Sequence, residues 1–237
     1  MVRANIESSD KIVRELFERS GRKVSFEQDG IILHPDDDSN GLYLITEGYA
    51  KIYSVTNRGE EYVHLIYDRG EIFPVLSLIK GTRRNVFHQA LTPCTLLYID
   101  NETLSRELLS DPIVTFSILQ RVVEQFKVYG DRIDNLEYKY ARERVAYRLL
   151  FLASRFGAKQ DDTYVLQAPL TQQTIGSSIN LSRESASREI ERFAKKGMLR
   201  YNGRQLIITD VKGLMGEIRQ PVSPDWWGLL YPEESRQ

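Results

Sequence analysis

The chain predicts an α+β protein: an N-terminal antiparallel β sandwich, barrel or roll, then a long helix, then a winged helix-turn-helix. Three observations predict it. Short Val-, Ile-, Leu- and Tyr-rich runs separated by turn signals fill residues 22–100. A helical run after Asp111-Pro112 repeats apolar residues at spacings of 3 and 4. Finally, TQQTIGSSINLSRESASREIERFAKKG (Thr171 to Gly197) reads as two short helices around a tight turn. Strands followed by helices, rather than alternating with them, argue against a doubly wound nucleotide fold.

The elements follow in order. SSDKIVRELFERS carries Ile12, Val13, Leu16 and Phe17 on one helical stripe, and Gly21 ends it. The runs KVSF, IILH, LYLITEG, YAKIYSV, EYVHLIY and TLLYID are strands. Turns at Asp29-Gly30, Pro35 to Gly41, Asn57 to Gly59, Asp68 to Gly70 and Thr92-Pro93 separate them. Leu42, Leu44, Ala50, Ile52 and Ser54 alternate with more polar neighbours, as strands of such a sandwich, barrel or roll do. Residues 102–110 form a short helix. In the long helix that follows, Leu119, Val122, Phe126, Tyr129, Ile133, Leu136 and Tyr140 make a heptad seam, the pattern of a two-helix dimer interface. Gly130 lies within this helix and marks a close approach, a ligand contact or a soft point. Tyr140 to Phe156 is a further helix, GAKQDDT a polar turn and YVLQAPL a short extended piece. MLRYNGRQLIIT is a hairpin about Asn202-Gly203, the wing, and a last helix runs from Asp210 to Arg219. The expected organisation is a sensor domain over 1–110, a dimerisation helix over 111–139, a DNA-binding domain over 140–219 and a tail over 220–237 containing Trp226-Trp227.

The helix-turn-helix carries the chemistry. Thr171 and Ser182 are suited to cap its two helices, because a hydroxyl can accept from an orphan first-turn amide. Ile175 and Ile179 give the first helix an apolar stripe, Gly176 admits close approach, and Asn180 tolerates the left-handed turn. On the second helix Arg183, Glu184, Ser187 and Arg188 span about 140° of surface, while Ala186, Ile190 and Phe193 lie on a separate face. Two guanidiniums, a carboxylate and a hydroxyl on one face suit base edges in a DNA major groove. From Ser182 to Arg204 there are seven cations (Arg183, Arg188, Arg192, Lys195, Lys196, Arg200, Arg204) and three anions, on a chain of net charge −1. A basic module on a near-neutral chain fits specific DNA binding with phosphate anchoring.

Composition narrows the classes. The lone Cys94 excludes intramolecular disulfides, cysteine-ligated clusters and zinc-finger spacing. His34, His64 and His88 are scattered, with no HExxH spacing. A single histidine can ligate a haem, but a structural role suits each. There is no GxGxxG, P-loop or nucleophile–base pairing, so no enzyme is expected. No apolar run approaches a membrane span and MVRANIESSDK lacks a secretory apolar segment. A cytoplasmic protein without a membrane partner is expected.

Strand-rich domain, long helix and winged helix, in that order, resemble the catabolite-activator/fumarate-nitrate-regulator (Crp/Fnr) family. The most specific part is LTQQTIGSSINLSRESASREIERFAKKGML, with its S-R-E-x-x-x-R segment. The resemblance implies a cyclic-nucleotide-binding-like β-roll and a homodimer bound to double-stranded DNA at an inverted repeat. It implies a GTGA-like half-site and contact with RNA polymerase. Arg183, Glu184, Ser187 and Arg188 would then read bases, and Thr171, Gln173 and Ser182 would hold phosphates. Asn180 replaces the usual turn glycine. In the sensor half, GEIFPVLSLIKGTRRNVF departs from the family's nucleotide motif, since Pro74 and Val75 occupy the Gly-Glu positions of the ribose contact. Val75 cannot accept from a ribose hydroxyl. Arg83 or Arg84 can still meet a phosphate, although Asn85 follows where Ser or Thr is usual. The alternative takes Gly70-Glu71-Ile72 as the motif, which makes the chain a cyclic-nucleotide-responsive regulator or receptor. No cofactor is expected: no cysteines lie near the N-terminus to hold an iron–sulfur cluster. The effector stays unassigned, with Phe73, Val75, Arg83, Arg84, Phe126 and Tyr129 as its candidate pocket.

Overall fold

The computed structural model describes residues 2–35, 37–38, 40–78, 84–203 and 205–219. The chain divides into two compact units, Met1–Tyr129 and Gly130–Gln237.

The first unit is the antiparallel roll. It begins with α1 (Val2–Ser20), followed by β1 (Arg22–Phe26), β2 (Ile31–Leu33), β3 (Gly41–Glu47), β4 (Ala50–Val55) and β5 (Glu61–Tyr67). Then come β6 (Ile72–Phe73), a 3-10 turn (Val75–Leu78), β7 (Phe87–Ala90) and β8 (Cys94–Asp100). Helices α2 (Asn101–Ser110) and α3 (Pro112–Glu137) follow. One sheet has the order β1-β8-β3-β6 and the other β2-β7-β4-β5. Two strands were absent from the sequence expectation. β6 is only two residues long, and FHQA of β7 alternates too briefly to stand out.

The roll has two cores. Leu33, Ile45, Ala50, Ile52, Leu65, Phe73 and Leu96 fill the space between the sheets. Leu42, Leu44, Ile72 and Ile99 point the other way, onto Val13, Leu16 and Phe17 of α1, Leu104 of α2, and Val114 and Ile118 of α3. So Leu42 and Leu44 do not share a layer with Ala50 and Ile52. The helices cover the outer face of the first sheet, and β3 is therefore apolar on both sides. Cys94 opens β8, buried, with its thiol donating to the Tyr49 and Thr92 carbonyls at 3.1 and 3.2 Å. Burial pushes that thiol up. His64 bonds Ser54 at 3.0 Å. Among the described residues no group of His, Cys, Asp and Glu could hold a metal ion, and no helix is long and apolar enough to cross a membrane.

Helix α3 revises the seam. Leu119, Phe126 and Ile133 are exposed, at 54%, 77% and 59%. Tyr129, by contrast, packs on the inter-sheet core, while Val122 and Leu136 are half-buried. The exposed apolar stripe in the roll unit is Ile113, Phe116, Leu119, Val123 and Phe126. Its steps of 3, 3, 4 and 3 keep one helix face. Gly130 opens the second unit, and among the described residues nothing lies within 4 Å of where its Cβ would be. Among the described residues it makes no close packing contact.

The second unit holds α4 (Ala141–Phe156), β9 (Gly157–Gln160), β10 (Thr163–Leu166), α5 (Gln172–Ser178), α6 (Arg183–Lys195), β11 (Leu199–Asn202), β12 (Gln205–Ile208) and α7 (Val211–Gly216). Its four strands form one sheet, β11-β12-β10-β9. GAKQ, expected as turn, is the edge strand β9. Its hairpin with β10 turns at Asp161, whose φ is 52°. The wing turn is also displaced by one residue. Asn202 pairs with Gln205, so Gly203, with φ of 60°, opens the loop rather than closing it. Arg83, Arg204 and the tail with Trp226-Trp227 lie outside the described residues.

Candidate DNA interface and sensor cavity

The helix-turn-helix is held by local chemistry that the sequence displays. Thr171 Oγ1 accepts from the Thr174 amide at 3.0 Å, and Ser182 Oγ accepts from the Ser185 amide at 3.2 Å. These caps satisfy one orphan donor at each helix start. Asn180 turns the chain with φ of 54°. A Cβ on Gly176 would stand 3.0 Å from the Leu181 carbonyl and 3.2 Å from Ala186 Cβ, so α5 and α6 cross at a point where only glycine fits without displacement. Ile175, Ile179, Ala186, Ile190 and Phe193 are all buried. The Arg144 guanidinium donates to the Ile179 carbonyl at 3.2 Å, tying the turn to α4. Glu217, just after α7, binds both Arg142 of α4 and Lys196 at the end of α6. Asn135, near the end of α3, donates to the Arg144 carbonyl at 3.0 Å.

This packing fixes which face α6 leaves open. Arg183, Glu184 and Arg188 are exposed, with Ser187 half-buried beside them. The Ser187 hydroxyl donates to Glu191 at 3.0 Å, which commits its proton and leaves its oxygen able to accept. The Glu184 backbone amide, then the Ser182 hydroxyl, hold the Glu184 carboxyl below the usual carboxylate range. Glu184 is therefore an obligate acceptor at neutral pH, as pairing with a cytosine amine requires. Arg183, Arg188, Lys195 and Arg200 make no ion pair among the described residues, whereas Lys196 is taken by Glu217 and Arg192 lies 3.7 Å from Glu189. Thr171 and Gln173 are exposed at the start of α5. Thr171 and Ser182 engage their oxygens as caps, one first-turn amide each. On the wing Arg200, counted in the basic module from the sequence, is exposed, and beside it lies exposed Tyr201, which the sequence reading did not single out.

The roll encloses a cavity of about 390 Å³. Of the expected pocket residues, Val75, Arg84, Phe126 and Tyr129 line it. Phe73 does not: it is fully buried, stacked on the far side of His88 at 5.2 Å. Glu71 is turned away to its own loop, accepting from the Asp68 amide at 2.6 Å. Sequence reasoning missed Leu33, Ile52, His88 and Gln125 in the wall. β7 had no strand signal to orient His88, and Gln125 falls between the seam positions of α3.

A roll, a long helix and a winged helix-turn-helix with a basic, exposed second helix define a DNA-binding transcription regulator with an attached β-roll domain. The family model for the cyclic nucleotide-binding domain matches residues 23–111, and that for the Crp-like helix-turn-helix domain matches residues 143–216. The chain is 24% identical over 196 residues to the CRP-like cAMP-activated global transcriptional regulator of Mycobacterium tuberculosis, covering 83% of this chain and 88% of that one. It is 24% identical over 185 residues to the global nitrogen regulator of Synechococcus elongatus, covering 77% and 83% respectively. The fold is that of FixK2 from Bradyrhizobium japonicum, with a TM-score of 0.75, 20% identity, and coverage of 85% of this chain and 99% of that one. The chain belongs to the Crp/Fnr family of transcription regulators. These relatives are regulators, not enzymes.

Proposed function

We propose that the chain acts as a homodimer on a two-fold symmetric DNA site, one α6 entering each of two successive major grooves, and that cyclic AMP does not operate it. The observation that carries the DNA reading is the face of α6: Arg183, Glu184 and Arg188 are exposed together above a helix locked by Ala186, Ile190 and Phe193. Half-sites would lie about one helical turn apart. Thr171, Gln173 and Ser182 anchor phosphates, RNA polymerase is the further partner, and the protein works in the cytoplasm without a cofactor or catalysis.

Arg188→Ala is expected to weaken specific binding by about 1–3 kcal/mol and to relax preference at one base pair. Competition binding on the selected site and on random duplex measures both. Equal loss on the two DNAs would remove Arg188 from base reading.

The second reading, a cyclic-nucleotide-responsive regulator, draws on the matched cyclic nucleotide-binding domain and on Arg84 at the cavity. Val75 speaks against it, because the wall at that position offers a ribose no acceptor. Titration calorimetry with cyclic AMP and cyclic GMP is expected to show no saturable heat. A saturable isotherm with either nucleotide would reinstate this alternative.

A further inference from the structure

His88 gives the cavity a chemistry of its own. It lies on β7, 4% exposed, opposite Ile52 of β4. Its ring stacks on Phe73 with planes 8° apart and flanks Tyr67 at 6.2 Å. Among the described residues Nε2 is buried and has no hydrogen-bond partner. Leaving such a nitrogen unmet in a dry interior is unfavourable, because it has given up water and gained no partner. Burial, then the neighbouring Arg84, lowers the imidazole pKa from 6.5 to about 3, so the ring is neutral at pH 7 and offers a hydrogen bond, not a charge.

The other polar groups in the wall are differently placed. The Gln125 amide is committed to the Ile72 carbonyl, and Tyr67 and Tyr129 hydrogen-bond to each other. One Asp37 carboxylate oxygen accepts from the His34 amide at 2.7 Å. Arg84 is exposed and makes no ion pair among the described residues. Much of the remaining wall is apolar, including Leu33, Ile52 and Val75. Among the described residues the wall offers the Arg84 guanidinium, an apolar body, the unmet neutral nitrogen of His88 and an Asp37 carboxylate tied to the His34 amide, which matches neither a sugar nor a purely greasy ligand.

We propose that this cavity binds a small, largely apolar organic monoanion, its acid group at Arg84 and one neutral hydrogen-bonding atom on His88 Nε2. The proposal rests on the reading that the roll lacks a ribose contact, and it names what the roll takes instead.

The test uses the full chain without DNA, by titration calorimetry, with three probes of one shape: 6-hydroxy-2-naphthoate, 2-naphthoate and 6-hydroxy-2-naphthamide. A hydroxyl suits either tautomer of His88, since it both donates and accepts. The hydroxy acid is expected to bind about tenfold more tightly than either analogue, one charge-assisted or buried hydrogen bond being about 1.4 kcal/mol or more. His88→Phe keeps the stack on Phe73 and should erase the preference for the hydroxyl while leaving 2-naphthoate unchanged. Arg84→Ala, at an exposed position, should erase the preference for acid over amide. Cyclic AMP is titrated in parallel. No saturable binding of either acid at about 1 mM, where a ligand of −4.1 kcal/mol is half bound, overturns the proposal. So does a hydroxyl preference that survives His88→Phe. Saturable cyclic AMP binding with none of the acids overturns both this proposal and the reading it rests on.

Discussion

Phe126→Glu should convert the protein to a monomer. The side chain is 77% exposed on α3, in line with Ile113, Phe116, Leu119 and Val123. Five large apolar residues on one open helix face are a patch that water disfavours. Burying each is worth about 1.5–3 kcal/mol. A two-fold axis counts every contact twice, so one substitution introduces two carboxylates into the same interface. The dimer dissociation constant should rise at least about a hundredfold, or about 2.8 kcal/mol at 1.4 kcal/mol per decade. Light scattering across a concentration series reads this directly. Leu119→Glu, at a position away from the sensor cavity, should give the same monomer. Both side chains are open in the single chain, so far-ultraviolet circular dichroism should be unchanged. Tyr129→Ala should behave oppositely: it removes a ring from the inter-sheet core and lowers roll stability while the dimer persists. Retained dimer mass in both glutamate variants would mean that something other than a second copy covers the stripe.

That contrast shows why the seam was only half legible. A helix with one face on its own roll and another left open is apolar on both. Reading spacing alone averages the two faces into a heptad. Leu119, Phe126 and Ile133 belong to the open face, Tyr129 to the closed one, and no local signal separates them. The helix-turn-helix was different, because its determinants are local. Thr171, Ser182, Asn180 and Gly176 act within a few residues, and each occupies the place its chemistry predicts. The roll was legible strand by strand wherever alternation ran long enough. It failed at Ile72–Phe73, at Phe87–Ala90 and at the exposed edge Gly157–Gln160, where pairing partners rather than composition make the strand. The sensor cavity suffers most from this, since His88 sits on a missed strand. Phe73, chosen for proximity in sequence, turns out to support the cavity wall from behind.

The unmet imidazole has a second consequence, for stability. In the unfolded chain His88 titrates near 6.5, and in the fold near 3. Between those values the unfolded state holds a proton that the native state does not, so stability rises with pH across this window. The contribution is complete above pH 6.5 and is lost as pH falls toward 3, with a slope of up to about 1.4 kcal/mol per pH unit. The groups facing His88 reinforce the sign: Arg84 repels an imidazolium, and buried Tyr67, held well above the ordinary phenol range, supplies no negative charge. Other groups also shift, among them Asp100 and Glu107, whose carboxyls are held low by their hydrogen bonds and also lose stability in acid. A difference measurement isolates His88. His88→Phe removes both the titrating group and the unmet nitrogen while keeping an aromatic ring against Phe73. At pH 7 the variant should be as stable as the parent or slightly more so, because no buried donor or acceptor is stranded. From pH 6.5 to pH 4 its advantage should grow by about 3 kcal/mol. Urea unfolding at stepped pH, followed by circular dichroism, gives the two curves. If they run parallel, His88 is charged or solvated in the fold, and the neutral hydrogen-bonding role assigned to it in the cavity falls with that result.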